Sequence, residues 1–111
     1  MTDPYKPAIV LCTGPDEATA RRLAGMLVES RLAACVNIVP GVRSVYEWQG
    51  RIEDDEEVLM VIKTDGGRFD DLCERLTQAH PYDVPEILKL DVDGGLPAYL
   101  EWMANWLRND K

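Results

Sequence analysis

His80 is the only histidine in the chain, and it is the first residue to weigh for chemistry, because imidazole ligates transition metals and changes charge near neutral pH. Cys12 is the second. It ends an apolar run, where a strand-to-loop junction is expected to leave a thiol near the surface. Each has a competing structural role: a hydrogen bond for His80, which lies on an apolar helical face before Pro81, and core packing for Cys12. Cys35 and Cys73 lie in apolar stretches and read as small core hydrophobes. A further polar set comprises Tyr46, Trp48, Lys63, Tyr82 and Glu86. Lys63 follows five apolar residues at a strand end and needs a partner, for which Glu86, held by Pro85, is the expected carboxylate. The set is expected to line a cleft between subunits; the alternative is an ion pair with an aromatic plug at an interface. No HExxH, Walker loop or nucleophile–base–orienter spacing is present, so no enzymatic activity is expected.

The elements that must position these residues follow from periodicity. Ala8 to Thr13 is a continuous apolar strand, and Gly14-Pro15-Asp16-Glu17 opens a helix with proline early in its first turn. Ala20, Leu23, Ala24, Leu27 and Val28 share one helical face, with Glu17 and Arg21 paired on the wet side. A second strand is expected from Leu32, passing Pro40-Gly41 at a bulge and continuing to Trp48. Gln49-Gly50 reads as a tight turn, so residues 42–57 form a hairpin arm that outgrows the sheet. Val58 to Thr64 is the third strand, and Phe69, Leu72, Cys73, Leu76 and His80 mark a second helix that Pro81 ends. Strand Ile87–Val92 and a helix from Pro97, carrying Tyr99, Trp102, Met103 and Trp106, complete the order. This is the α+β, ferredoxin-like βαββαβ sandwich: an antiparallel sheet with a long β2–β3 hairpin and a C-terminal helix, one domain over residues 1–111.

Composition narrows the function. The formal net charge of −8 disfavours nucleic acid and anionic lipid as partners and mildly favours cations. No apolar run approaches the roughly 20 residues that span a bilayer, and residues 1–4 lack the basic start of a secretory signal. Three widely spaced cysteines form neither a disulfide framework nor a structural zinc site, so a cytoplasmic location is expected.

The strands carry a further message. Runs 8–12, 32–39 and 58–62 do not alternate apolar with polar residues, as strands buried on both faces do not. Two amphipathic helices cover only one face. Either the terminal helix folds beneath the sheet, or copies of the chain pack sheet to sheet.

With these pieces in place the chain resembles the CutA divalent-cation-tolerance family nearly end to end. The likeness rests on Val10-Leu11-Cys12-Thr13 with Pro15-Asp16, Leu32 to Asn37, Pro40-Gly41 and Ser44 to Gly50. It continues through Lys63-Thr64 and His80 to Ile87, ending on Tyr99 and Trp102. The resemblance implies a PII-like homotrimer, a role in tolerance to divalent cations, and copper or another divalent metal as ligand. It also implies Cys12 and His80 as copper ligands. The chain departs from some relatives at Ala79, where a second histidine precedes the His-Pro-Tyr motif.

Other functions of the same topology fit less well. A soft-metal chaperone needs a chelating thiol pair where Cys12-Thr13-Gly14-Pro15 supplies one thiol, and an RNA-binding sheet needs central aromatics and a basic face. An acyl-phosphate hydrolase needs an arginine in the first loop, which here is acidic. Two readings stay open: a metal-binding tolerance factor using Cys12 and His80, and a signalling or scaffolding trimer that senses a small, anionic ligand through Lys63 and meets an unknown protein partner.

Overall fold

A computed structural model describes residues 5–108. The strands are β1 (Pro7–Gly14), β2 (Cys35–Trp48), β3 (Arg51–Asp65) and β4 (Leu88–Asp91). The helices are α1 (Glu17–Glu29), α2 (Phe69–Ala79) and α3 (Pro97–Arg108), with a single 3-10 turn at Gly66–Arg68 before α2. The sheet runs β2-β3-β1-β4 with every neighbouring pair antiparallel, the ferredoxin-like order expected from the sequence.

Local chemistry explains the boundaries. Asp16 caps α1 by accepting from the Thr19 amide at 2.7 Å, a bond that holds its carboxyl below the usual carboxylate range. Pro15 therefore precedes the cap instead of occupying the first turn, a correction to the sequence reading. The helix leaves through Arg31 in the left-handed region (φ 61°), and Leu32 and Ala33 both donate to the Leu27 carbonyl at 2.9 and 3.1 Å. Those bonds hold the apolar residues 32 and 33 in the exit turn, so β2 begins at Cys35 and not at Leu32. The Val39/Val42 register shift is the expected bulge, with Gly41 at φ 77°. Gln49 and Gly50, at φ 49° and 80°, close the hairpin as a two-residue turn matched to strand twist.

The core lies between one sheet face and the pair α1/α2. Val10, Met60 and Ile62 from the strands meet Leu23, Leu27, Leu72 and Leu76 from the helices, all fully buried. The opposite sheet face is also apolar. Register places Leu90, Ile9 and Lys63 in one row, Leu88, Leu11 and Val61 in the next, and Leu59 beside Val39 in a third. Helix α3 touches β3 but leaves Val39, Leu88 and Leu90 on this face exposed. Helix α3 buries Met103 and Leu107 against Ala34 and Tyr5, while Trp106 donates to the Val28 carbonyl at 3.0 Å and Arg31 stacks on its ring at 3.6 Å. The terminal helix is thus latched to the end of α1, and Leu88 and Leu90 stay 57% and 51% exposed.

Because Leu76 is fully buried on α2, as Leu72 is, and helps seal the helix to the sheet, Leu76→Ala is expected to lower unfolding free energy by about 2–5 kcal/mol. Urea denaturation followed by circular dichroism checks this. A loss well under about 1 kcal/mol would mean that α2 is not a sealing element.

Candidate functional site

The carboxyl end of β1, one side of the hairpin arm and residues 82–86 enclose an open groove of about 1140 Å³. Alternation along the arm sends Ser44, Tyr46 and Trp48 to one side, and cross-strand pairing sets Glu53 and Asp55 beside them. Tyr82 and Glu86 reach the groove from the segment between α2 and β4, with Thr13 at the end of β1. Trp48 is 60% exposed along the wall. Six carboxylates line the space: Glu53, Asp55, Glu56, Glu57, Asp83 and Glu86. Among the described residues no lysine, arginine or histidine joins them, which makes the groove a field for cations.

Two phenols tie this acid layer down. Tyr46 donates to Asp55 at 2.5 Å, and Tyr82 donates to Glu57 at 2.8 Å. The bond to Asp55, with desolvation and the neighbouring carboxylates, pushes the Tyr46 phenol up to about 12. Tyr82 is raised further, by burial first and then by its bond to Glu57. Glu57, Asp55 and Thr13 were missed in the sequence. The acidic run 53–57 opposite Tyr46 was the available signal, but it reads equally as a solvated strand edge.

Of the expected cleft residues, Tyr46, Trp48, Tyr82 and Glu86 come together and Lys63 does not. Its ammonium bonds the Asn37 side-chain oxygen and approaches Cys35 Sγ at 4.0 Å, on the open face of the sheet. The expected Lys63–Glu86 pair is replaced by this contact with β2. Cross-strand neighbours Cys35 and Asn37 were closer at hand than a carboxylate at the far end of the sheet.

Cys12 and His80 lie beneath the groove. Cys12 was expected near the surface; instead β1 continues to Gly14, and alternation turns Cys12 inward with Val10, where it is fully buried. Burial, then the charges of Glu86 and Glu57, push its thiol from 9.0 to about 12. His80 is the C-cap of α2, already extended (φ −75°, ψ 140°) because Pro81 follows, so it leaves the helical face assigned to it. It is buried, with Nε2 2.8 Å from the Thr13 carbonyl and Nδ1 3.1 Å from the Tyr82 amide nitrogen. Among the described residues no three histidine, cysteine or acidic side chains form a metal-ligating group. A protonated, buried thiol and an imidazole with both nitrogens engaged do not fit a copper centre.

Fold and groove together define a ferredoxin-like protein with an acidic, aromatic-walled rim and an apolar open sheet. Comparison with known proteins narrows this class. The family model for the CutA1 divalent ion tolerance protein matches residues 8–106, and the chain belongs to that family. It is 51% identical over 100 residues to the divalent-cation tolerance protein CutA of Pectobacterium atrosepticum, spanning 90% of this chain and 91% of that one. Among solved structures, the divalent cation tolerance protein (Cut A1) of Thermus thermophilus superposes with a TM-score of 0.84. It shares 50% identity and covers 86% of this chain and 93% of its own. CutA1 from Oryza sativa superposes with a TM-score of 0.91 at 44% identity, covering 94% and 95%.

The buried thiol gives the fold an alkaline limit. Between about pH 9 and 12 the folded chain keeps the Cys12 proton that the unfolded chain releases. The stabilisation is therefore full below pH 9 and is lost as pH rises toward 12. Tyr5, Tyr46 and Tyr82 are raised too and act with the same sign. Melting temperature against pH is expected to fall more gently through this window in Cys12→Ala than in the wild type. Parallel curves would remove the thiol from the account.

Proposed function

We propose that this chain serves cellular tolerance to divalent cations as a homotrimer, acts in the cytoplasm and is not an enzyme. The observation that carries the proposal is the open sheet face. Ile9, Leu11, Leu59 and Val61 form its centre, and Val39, Leu88 and Leu90 its exposed flanks. Fully burying one exposed side chain of this kind is worth roughly 1.5–3 kcal/mol, so seven partly exposed ones supply a sizeable association term to set against the cost of association. The resemblance to PII-like proteins supports three as the number of copies. Three unpaired cysteines accord with a reducing compartment.

Family membership supports divalent cations as the ions concerned, with copper one of them. The groove is the surface such ions meet first, since its carboxylates concentrate cations whether or not one is held there. A second reading, a PII-like signalling trimer with a small ligand in an intersubunit cleft, is favoured by the same groove. Its lining turns that reading from an anionic ligand bound through Lys63 toward a cationic one.

Native mass spectrometry tests both parts. The metal-free protein is expected to fly as a trimer, and Val61→Glu, which plants a charge on the open face, as a monomer. A wild-type monomer would overturn the assembly. Copper(II), zinc(II) and manganese(II), added singly, are expected to bind saturably at a whole number per chain or per trimer. Uptake without stoichiometry for all three would overturn the cation part and leave the cleft reading.

A further inference from the structure

The carbonyl of Thr13, at the end of β1, receives two side chains. His80 Nε2 lies 2.8 Å away and Cys12 Sγ 3.7 Å away. A carbonyl only accepts, so both groups donate to it, and the imidazole carries its proton on Nε2. The amide of Tyr82 only donates, so Nδ1 accepts, at 3.1 Å. A metal-bound histidine also donates its second N–H to a carbonyl, but it turns the remaining lone pair to the ion. Here that lone pair is spent on a backbone amide two residues along the chain.

The consequence for the groove is direct. With Pro81 between them, the rings of His80 and Tyr82 pack at 4.7 Å, and Tyr82 then delivers its hydroxyl to Glu57. His80 therefore joins the end of β1 to the start of the segment that carries Tyr82, Asp83 and Glu86 into the groove. We propose that Cys12 and His80 form a structural clamp on the Thr13 carbonyl, with His80 the positioning residue for the groove wall, and that metal ions bound by this protein bypass both. The thiols that retain some exposure are Cys35 and Cys73, and the carboxylates are those of the groove. This holds whether or not the sheets associate.

The chain has one histidine, so its ring nitrogens give an isolated NMR signature. The 15N ring spectrum of the wild-type protein is recorded alone, then with zinc(II) and with copper(I), both diamagnetic. The expected result is a protonated Nε2 and an accepting Nδ1, neither displaced by either metal. Displacement of Nδ1 on metal addition would overturn the clamp. Metal bound per chain is expected to be unchanged in Cys12→Ala, whereas stoichiometric loss there would make the thiol a ligand. Exchange of the Tyr82 amide is expected to accelerate about tenfold or more in His80→Ala and to stay slow in Cys12→Ala. An unchanged rate in a folded His80→Ala variant would remove the positioning role. If that variant does not fold, the wild-type ring spectrum decides.

Discussion

A sheet with two apolar faces, one closed by α1 and α2 and the other left largely open, is the constraint on which this molecule rests. The inner face is satisfied within the chain by α1 and α2, whose leucines close a core around Val10, Met60 and Ile62. The outer face cannot be satisfied in the same way. The chain's last helix is held elsewhere, by Trp106 on Val28 and by Met103 and Leu107 on Ala34 and Tyr5. Burying apolar surface is the main favourable force in folding and in association alike. The proposed assembly would bury the outer face by the same force that closes the core.

The groove inherits its form from the same arrangement. At the bulge between Val39 and Val42 the paired strands leave the sheet, and the arm beyond it carries charge where the sheet carries aliphatic residues. Its carboxylates repel one another, and Tyr46 and Tyr82 offset part of that repulsion through their hydrogen bonds to Asp55 and Glu57. Beneath them, Cys12 and His80 meet at one carbonyl. A soft thiol and an imidazole close together suggest a metal centre when read as residue types. Read as donors and acceptors, they are already satisfied.

The sequence carried most of the fold. Period and turn chemistry placed the strands, the bulge, the Gln49-Gly50 turn and the ending of α2 at Pro81, because each depends on local sterics that residue types encode. The errors arose where a hydrogen bond between distant residues, or a shift of one position, decided the outcome. Leu32 looked like the start of a strand until its amide was tied to Leu27. Cys12 looked accessible until β1 ran two residues beyond it. Tyr46 and Trp48 were legible because aromatic alternation on the arm is a local signal, and Tyr82 and Glu86 because Pro81 and Pro85 mark the segment that carries them. Lys63 was misassigned because its partner, Asn37, lies across a strand pairing that spacing alone does not specify.

The most direct test of the open face as an interface is solvent access to its methyl groups in the wild-type protein. A soluble gadolinium chelate is added while methyl NMR signals are followed. Ile9, Leu11 and Val61 are expected to resist broadening as the core methyls of Leu23 and Leu76 do, while Val84, 90% exposed, is lost early. Broadening of Leu11 and Val61 in step with Val84 would show that water, and not a second sheet, covers that face.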